Sequence, residues 1–458
     1  MIFETLTTLS ALGITGLATY HKKNFSKDGD KIIKIADNCG LYKKDEKIRL
    51  FRRNYNKKEK YTEYVFKIPL GLSFEDFNSK MQVFKDGLNN KSMNQISLAD
   101  FKHLKFDRTI INQLQMIFNK RIQLNKEITM NYDGMLIIKV FDEGLQENYE
   151  VTPEIMKKVK GWKVALGRGL GKQITHDFEE GPHILIGGAT DMGKSNVINL
   201  IITTLLLNHE DDVEFTLIDL KGGLEFAPYE RIKQTINFAS SVEGAYTSLN
   251  NVVVEMEEVF QNLRIKRKKN VQQLGIKKRH FIIVDEAAEL SSDGEQDKVI
   301  KSLKIDCEKF LKDIARRGRA AGYRLIYCTQ YPTRETVSSQ VKRNLITRIS
   351  LPVDTSTASQ VVLDEGGAEK LPLVKGRAIY KRTRSEIMQS YYIPEWMIEK
   401  VVEVQPLRRF SKEDVIDASF KVKTDPTRGG YTFELEEVGL SDQKSITTNS
   451  QSKKRQKR

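Results

Sequence analysis

The chain has 458 residues, 39 % of them apolar, which allows about three domains with sizeable buried cores. Lysine and arginine number 75 against 61 aspartate and glutamate, and the surplus of +14 makes a polyanion or an anionic membrane face a fitting partner. Three scattered cysteines, Cys39, Cys307 and Cys328, show no metal-ligand spacing; their pattern excludes a disulfide framework and fits a reducing cytoplasm.

Ile2 to Tyr20 carries one charge, Glu4, and is followed at once by His21-Lys-Lys23. This asymmetry predicts a single-pass cell-membrane anchor over residues 1–23, with the N-terminus outside and the rest of the chain in the cytoplasm. The stretch is close to the minimum of about 20 residues and is rich in Thr, Ser and Gly, so an amphipathic or buried first helix is the alternative. A cleaved signal peptide fits poorly, because the positive charge follows the apolar stretch. Residues 24–60 are crowded with Lys and Arg and read as a basic linker, either drawn to anionic lipid or simply solvated.

A small α+β domain is predicted over 61–151. Tyr64, Phe66, Ile68 and Leu70 alternate as in a strand, and Phe74, Phe77, Met81, Phe84 and Leu88 recur at helical spacing behind a Ser73 cap. Ile128-Thr-Met-Asn-Tyr132 and Met135-Leu-Ile-Ile-Lys-Val-Phe141 flank Asp133-Gly134, a hairpin signal. No catalytic constellation falls in this region.

Residues 152–400 carry the chemistry. The apolar run His183-Ile-Leu-Ile186 leads into Gly188-Ala-Thr-Asp-Met-Gly-Lys-Ser195, a complete phosphate-binding loop. Gly188 and Gly193 let the backbone N–H groups of the loop, which includes Ala189, Thr190, Asp191 and Met192, turn toward phosphate oxygens. Lys194 is expected to reach the β and γ phosphates of ATP, and Ser195 to ligate Mg²⁺. The helix beginning near Asn196 points its positive end at the same anion. About ninety residues on, Phe281-Ile-Ile-Val-Asp285-Glu286 is an apolar strand that ends in two carboxylates. Asp285 is expected in the Mg²⁺ shell, and Glu286 is expected to orient or deprotonate the attacking water. A third strand, Arg324-Leu-Ile-Tyr-Cys-Thr329, ends at Gln330, placed to sense the γ-phosphate. Together these motifs predict an ATPase.

Arg264-Ile-Lys-Arg-Lys-Lys269 follows an amphipathic helix carrying Val252, Met256, Val259 and Leu263, and reads either as a phosphate-contacting cluster or as a solvated helix end. Residues 401–458 form an extension whose Lys453-Lys-Arg-Gln-Lys-Arg458 tail is expected to be disordered.

From Gly161 onward the chain resembles the FtsK/SpoIIIE family. The resemblance is carried by Gly161-Trp-Lys-Val-Ala-Leu-Gly167, the phosphate loop, Leu217-Ile-Asp-Leu-Lys-Gly-Gly-Leu-Glu-Phe226 and Phe281 to Leu290. It continues through Ile314-Ala-Arg-Arg-Gly-Arg-Ala-Ala-Gly322, Cys328-Thr-Gln-Tyr-Pro332, Asn344-Leu-Ile-Thr-Arg-Ile349 and Asp364-Glu-Gly-Gly-Ala-Glu369. The resemblance implies a RecA-like motor that assembles into a ring, usually a homo-hexamer, and drives DNA through it with ATP. It also implies the loop, carboxylate and sensor roles just given, and an arginine finger on the neighbouring subunit, for which Arg319 and Arg348 are the candidates within family motifs. Asp219 and Lys221 stand near the site without an assigned step. Nothing after Tyr391 has the pattern of the winged helix found in chromosome-segregating members. The expectation is therefore the short, single-anchor coupling-protein type of Gram-positive conjugative plasmids and integrative elements, with a relaxase and mating-channel proteins as partners and DNA held mainly without regard to sequence. A cellular segregation motor and a non-motor, ATP-switched tether are the alternatives.

Overall fold

The computed structural model describes residues 27–44, 46–89, 126–330, 332–333, 336–337, 339–408, 422–424 and 431–433. The proposed anchor over 1–23 and the basic tail lie outside these residues. Among the described residues, no helix is long and apolar enough to cross a membrane.

The small domain starts earlier than the sequence suggests. Helix α1 (Lys27–Asn38) and strand β1 (Arg49–Asn56) occupy most of what reads as linker, followed by β2 (Tyr61–Lys67), α2 (Phe74–Asn78), α3 (Met81–Asn89), β3 (Glu127–Tyr132) and β4 (Leu136–Phe141). The reason is α1's narrow apolar stripe: Ile32 and Ala36, one turn apart, are fully buried against Tyr64, Phe66 and Phe84, while Lys34 stays exposed. The sheet runs β1-β2-β4-β3, all antiparallel. The single helix expected from Phe74 to Leu88 is two, because the Ser79 hydroxyl donates to the Asp76 carbonyl and competes with the helical ladder there. The β3–β4 turn holds Asp133, Gly134 and Met135, with Gly134 in the left-handed region at φ +68°.

The motor follows as β5 (Tyr149–Glu150), α4 (Pro153–Lys158), β6 (Lys163–Gly169), β7 (Gln173–Asp177), β8 (Ile184–Gly187), α5 (Lys194–His209), β9 (Val213–Ile218), β10 (Thr235–Ala239), α6 (Val242–Ile265), β11 (Arg279–Val284), α7 (Lys298–Ala321) and β12 (Tyr323–Thr329). It ends with β13 (Thr347–Ser350), α8 (Ser356–Leu363), β14 (Arg377–Lys381), β15 (Ser385–Tyr392) and α9 (Glu395–Glu403). One sheet runs β10-β9-β11-β12-β8-β13-β14-β15-β6-β7. From β10 to β13 it is parallel, and from β13 to β7 antiparallel, so β6, near the motor's start, pairs with its last strand, β15. Alternation along β8 sends Ile184 and Ile186 to one face, against Ile198 and Ile201 of α5, and Leu185 to the other, with Met256 of α6 and Ile314 of α7. The result is a three-layer α/β/α motor. Its last helix, α9, buries Met397, Ile398 and Val401 in the same core, so the motor runs past residue 400.

The chain divides after Pro406. In the second unit Val422–Thr424 pairs antiparallel with Tyr431–Phe433.

Candidate active site

Parallel pairing aligns the carboxyl ends of four neighbouring strands on one edge of the sheet, which is where α/β folds bind their ligands. The register places Thr329 opposite Gly187 and Val284 opposite both Ile218 and Tyr327. The phosphate loop after β8, Asp219 after β9, Asp285 and Glu286 after β11, and Gln330 after β12 therefore converge.

The loop has the shape of an anion cradle. Gly193 lies at φ +100° and caps α5 without a side chain, and a Cβ there would stand 3.0 Å from the Gly376 nitrogen. A Cβ on Gly188 would come within 2.7 Å of Leu351. Gly376 N–H donates to the Met192 carbonyl at 2.8 Å, Ala189 N–H to Pro352 at 3.0 Å, and Lys375 pairs with Asp191 at 2.7 Å. Asp191 itself has φ +67°, a strained conformation that this bracing maintains. Thr190 Oγ1 donates to Gln330 Oε1 at 3.3 Å, linking the loop to the sensor position.

Lys194 is buried, with Nζ 2.5 Å from Asp285 Oδ1 and 2.7 Å from the Asp285 carbonyl. Burial works against its charge, yet Cys328, Asp285 and Glu286 outweigh it and raise the ammonium pKa. The Cys328 thiol is itself pushed well up by burial and stays neutral, so the carboxylates hold the lysine charged. Glu286 accepts the Gln330 backbone N–H at 3.2 and 3.0 Å, and Lys221 Nζ lies 3.2 Å from its Oε2.

Glu225 is a site residue that the motif reading passed over. It accepts from Asn199 at 3.0 Å and from Ser195; burial first, then the charge of Asp285, raises its carboxyl pKa. Its signal lay in the Gly222-Gly223-Leu224-Glu225 turn, which only a strand ending just before Asp219 brings back to the loop. A serine hydroxyl with two neighbouring carboxylates is a hard-oxygen donor set, suited to Mg²⁺ carried with phosphate oxygens.

The arginines lie elsewhere. Arg348 is buried on β13, donating to the Leu345 carbonyl at 3.1 Å and to Asp364. Arg319 is exposed in the last turn of α7, at the opposite edge of the sheet from the phosphate loop, with the Glu179 carbonyl at 3.3 Å. It lines an open groove of about 610 Å³ with Arg264, Lys269, Arg316 and Arg317. The basic run after α6 thus meets the α7 arginines. Among the described residues, Arg264, Lys269 and Arg319 have no carboxylate partner, while Arg316 and Arg317 are paired with Asp313.

A phosphate loop on a parallel strand, a lysine–carboxylate pair one strand beyond the sensor strand, and a second carboxylate facing the sensor define a P-loop ATPase domain. Residues 153–281 match the FtsK/SpoIIIE family. It is 32 % identical over 266 residues to the DNA translocase FtsK of Campylobacter jejuni, covering 55 % of this chain and 27 % of that protein. With the DNA translocase FtsK of Lactiplantibacillus plantarum it shares 29 % over 317 residues, 62 % of this chain and 38 % of that protein. The chain therefore spans well under half the length of these relatives. Its fold is similar to that of the pCW3 conjugation coupling protein TcpA, solved as a monomer with ATPγS, at 22 % identity and TM-score 0.55, over 82 % of this chain and 99 % of that one.

Proposed function

We propose that this protein is an ATP-driven DNA translocase serving as the coupling protein of a conjugative transfer system, delivering DNA with its relaxase to the mating channel. The observation that carries the reading is the extent of the fold likeness to the pCW3 coupling protein: 82 % of this chain is a larger share than the motor alone, so the likeness takes in the small domain as well.

In this reading Lys194 and the loop N–H groups bind the ATP phosphates, while Ser195 and Asp285, with Glu225 beside them, would hold Mg²⁺. When bound, Mg²⁺ offsets phosphate charge. Glu286, which accepts the Gln330 N–H, orients water for attack. The RecA-like motor works as a homo-hexameric ring, and the finger acting on the next subunit is Arg319: it is exposed and has no carboxylate partner among the described residues, whereas Arg348 is committed to Asp364 within its own chain. DNA is held through phosphates, and a membrane anchor at residues 1–23 keeps the motor on the cytoplasmic side.

The test is a donor cell whose only copy carries Glu286→Gln. Transfer of the mobile element should fall to background while chromosome segregation proceeds normally. Wild-type transfer frequency would overturn the motor reading. The names of the FtsK relatives favour a second reading, cellular DNA segregation, and a segregation defect with intact transfer would support it. ATP hydrolysis that DNA leaves unstimulated would support a switched tether instead.

A further inference from the structure

We propose that Lys221 is a positioning residue for the Glu286 carboxylate, a role that rests on the ATPase reading. Asp219, buried at the end of β9, accepts the backbone N–H of Lys221 through one oxygen at 3.0 Å and that of Glu225 through the other at 2.9 Å. The turn between them is therefore pinned at both ends. Gly222 and Gly223, at φ +98° and +74°, reverse the chain inside it, and a Cβ on Gly223 would stand 3.3 Å from Phe238 and Ser240. Because β9 and β11 are neighbours, the folded turn carries Lys221 to Glu286, placing Nζ 3.2 Å from Oε2. The lysine side chain is 39 % exposed and the glutamate 3 %.

A carboxylate has about four lone-pair sites. On Glu286, Oε2 receives both Lys221 and the Gln330 N–H, while Oε1 receives the Gln330 N–H alone. One acceptor site on Oε1 is thus left for water. A single shared N–H does not fix the carboxylate plane; the ammonium on one oxygen does, and it decides which oxygen faces the reaction. The far end of the same turn is Glu225, tied to Asn199 of α5, so Lys221 is set in register with the helix that carries Lys194 and Ser195.

The experiment is steady-state ATP hydrolysis by the full-length chain. Lys221→Met should lower kcat about tenfold or more while KM for ATP stays within about twofold, the pattern of a group that acts after binding. In a Glu286→Gln background the same change should have no further effect, since Lys221 acts through that carboxylate. A kcat near wild type overturns the proposal. So does a KM that rises in step with the loss, which would mean direct contact with nucleotide, or losses that multiply in the double variant. Thermal melting and binding of a fluorescent ATP analogue establish that the variants are folded; if Lys221→Met is not, Lys221→Gln takes its place. Wild-type protein that binds the analogue without turnover would defeat the ATPase reading itself, whereas an active wild type with an unaffected variant defeats only the role of Lys221.

Discussion

Glu179→Gln removes one charge and almost no volume, and it should destabilise the motor out of proportion to that change. Glu179 accepts from Arg279 Nε at 2.7 Å and from Arg324 Nη2 at 2.9 Å. The Arg324 side chain is 0 % exposed, and its other bonds are to the carbonyls of Tyr323 and Arg319. Burial works to raise the Glu179 pKa, but the Arg279 hydrogen bond and the charges of Arg324 and Arg279 outweigh it and hold the carboxyl at about 2. Against an ordinary 4.5 this corresponds to about 3 kcal/mol, and screening of a side chain that is 26 % exposed reduces it to about 2 kcal/mol. Leaving Arg324 buried without its counter-charge brings the expected loss to about 2–4 kcal/mol at pH 7, or at least about 4 °C in the unfolding midpoint. The carboxylate's pKa is depressed in the fold, so its contribution is complete above the unfolded value and is lost as pH falls toward the folded one. The gap between wild type and variant should therefore narrow by about 0.8 kcal/mol between pH 7 and pH 4. Urea unfolding at the two pH values measures both quantities. Equal stability at pH 7, or a gap that widens in acid, would refute the account of this cluster.

Four further outcomes are expected. Glu286→Gln should lower phosphate release by about a hundredfold or more with an unchanged circular dichroism spectrum, and Lys194→Ala should abolish binding of a fluorescent ATP analogue. Gly171→Val should loosen the small domain, because a Cβ there, at φ +75°, would stand 2.8 Å from the Glu59 carbonyl; a Glu-specific protease should then cut at Glu143 and Glu147 severalfold faster. Deleting residues 2–20 should move the protein from the membrane fraction to the soluble one with ATP hydrolysis retained, and a truncated protein that still sediments with membranes would place the anchor elsewhere.

The phosphate loop and the Asp285-Glu286 strand end were legible because their chemistry is local: glycine spacing, one lysine and an apolar run suffice to write them. The start of the small domain was not. Four apolar positions among the lysines of α1 look like solvated chain, and β1 is an edge strand whose residues are nearly all exposed, so neither leaves a burial pattern to read. Ser79 broke a helix that side-chain periodicity alone would have continued. The pairings that finish the site, Lys221 with Glu286 across 65 residues and Arg324 with Glu179 across 145, depend on strand order and carry no local signature. The same order separated the two arginines, placing one beside Asp364, which it shares with Lys342, and the other on open surface.

The seam between β6 and β15 bears on how the cell makes this machine. At that seam Gly167 lies opposite Ser390, so close that a Cβ on the glycine would stand 2.2 Å from the Gln389 carbonyl, and the two strands meet only after the whole motor sequence between them exists. A ribosome releases the opening strand long before its neighbour, and closing so long a loop is a slow event for a growing chain. The early hairpin must wait, its inner edge unpaired, until synthesis has passed residue 392. Translation cut short anywhere within the sheet then leaves a fragment with an unpaired edge.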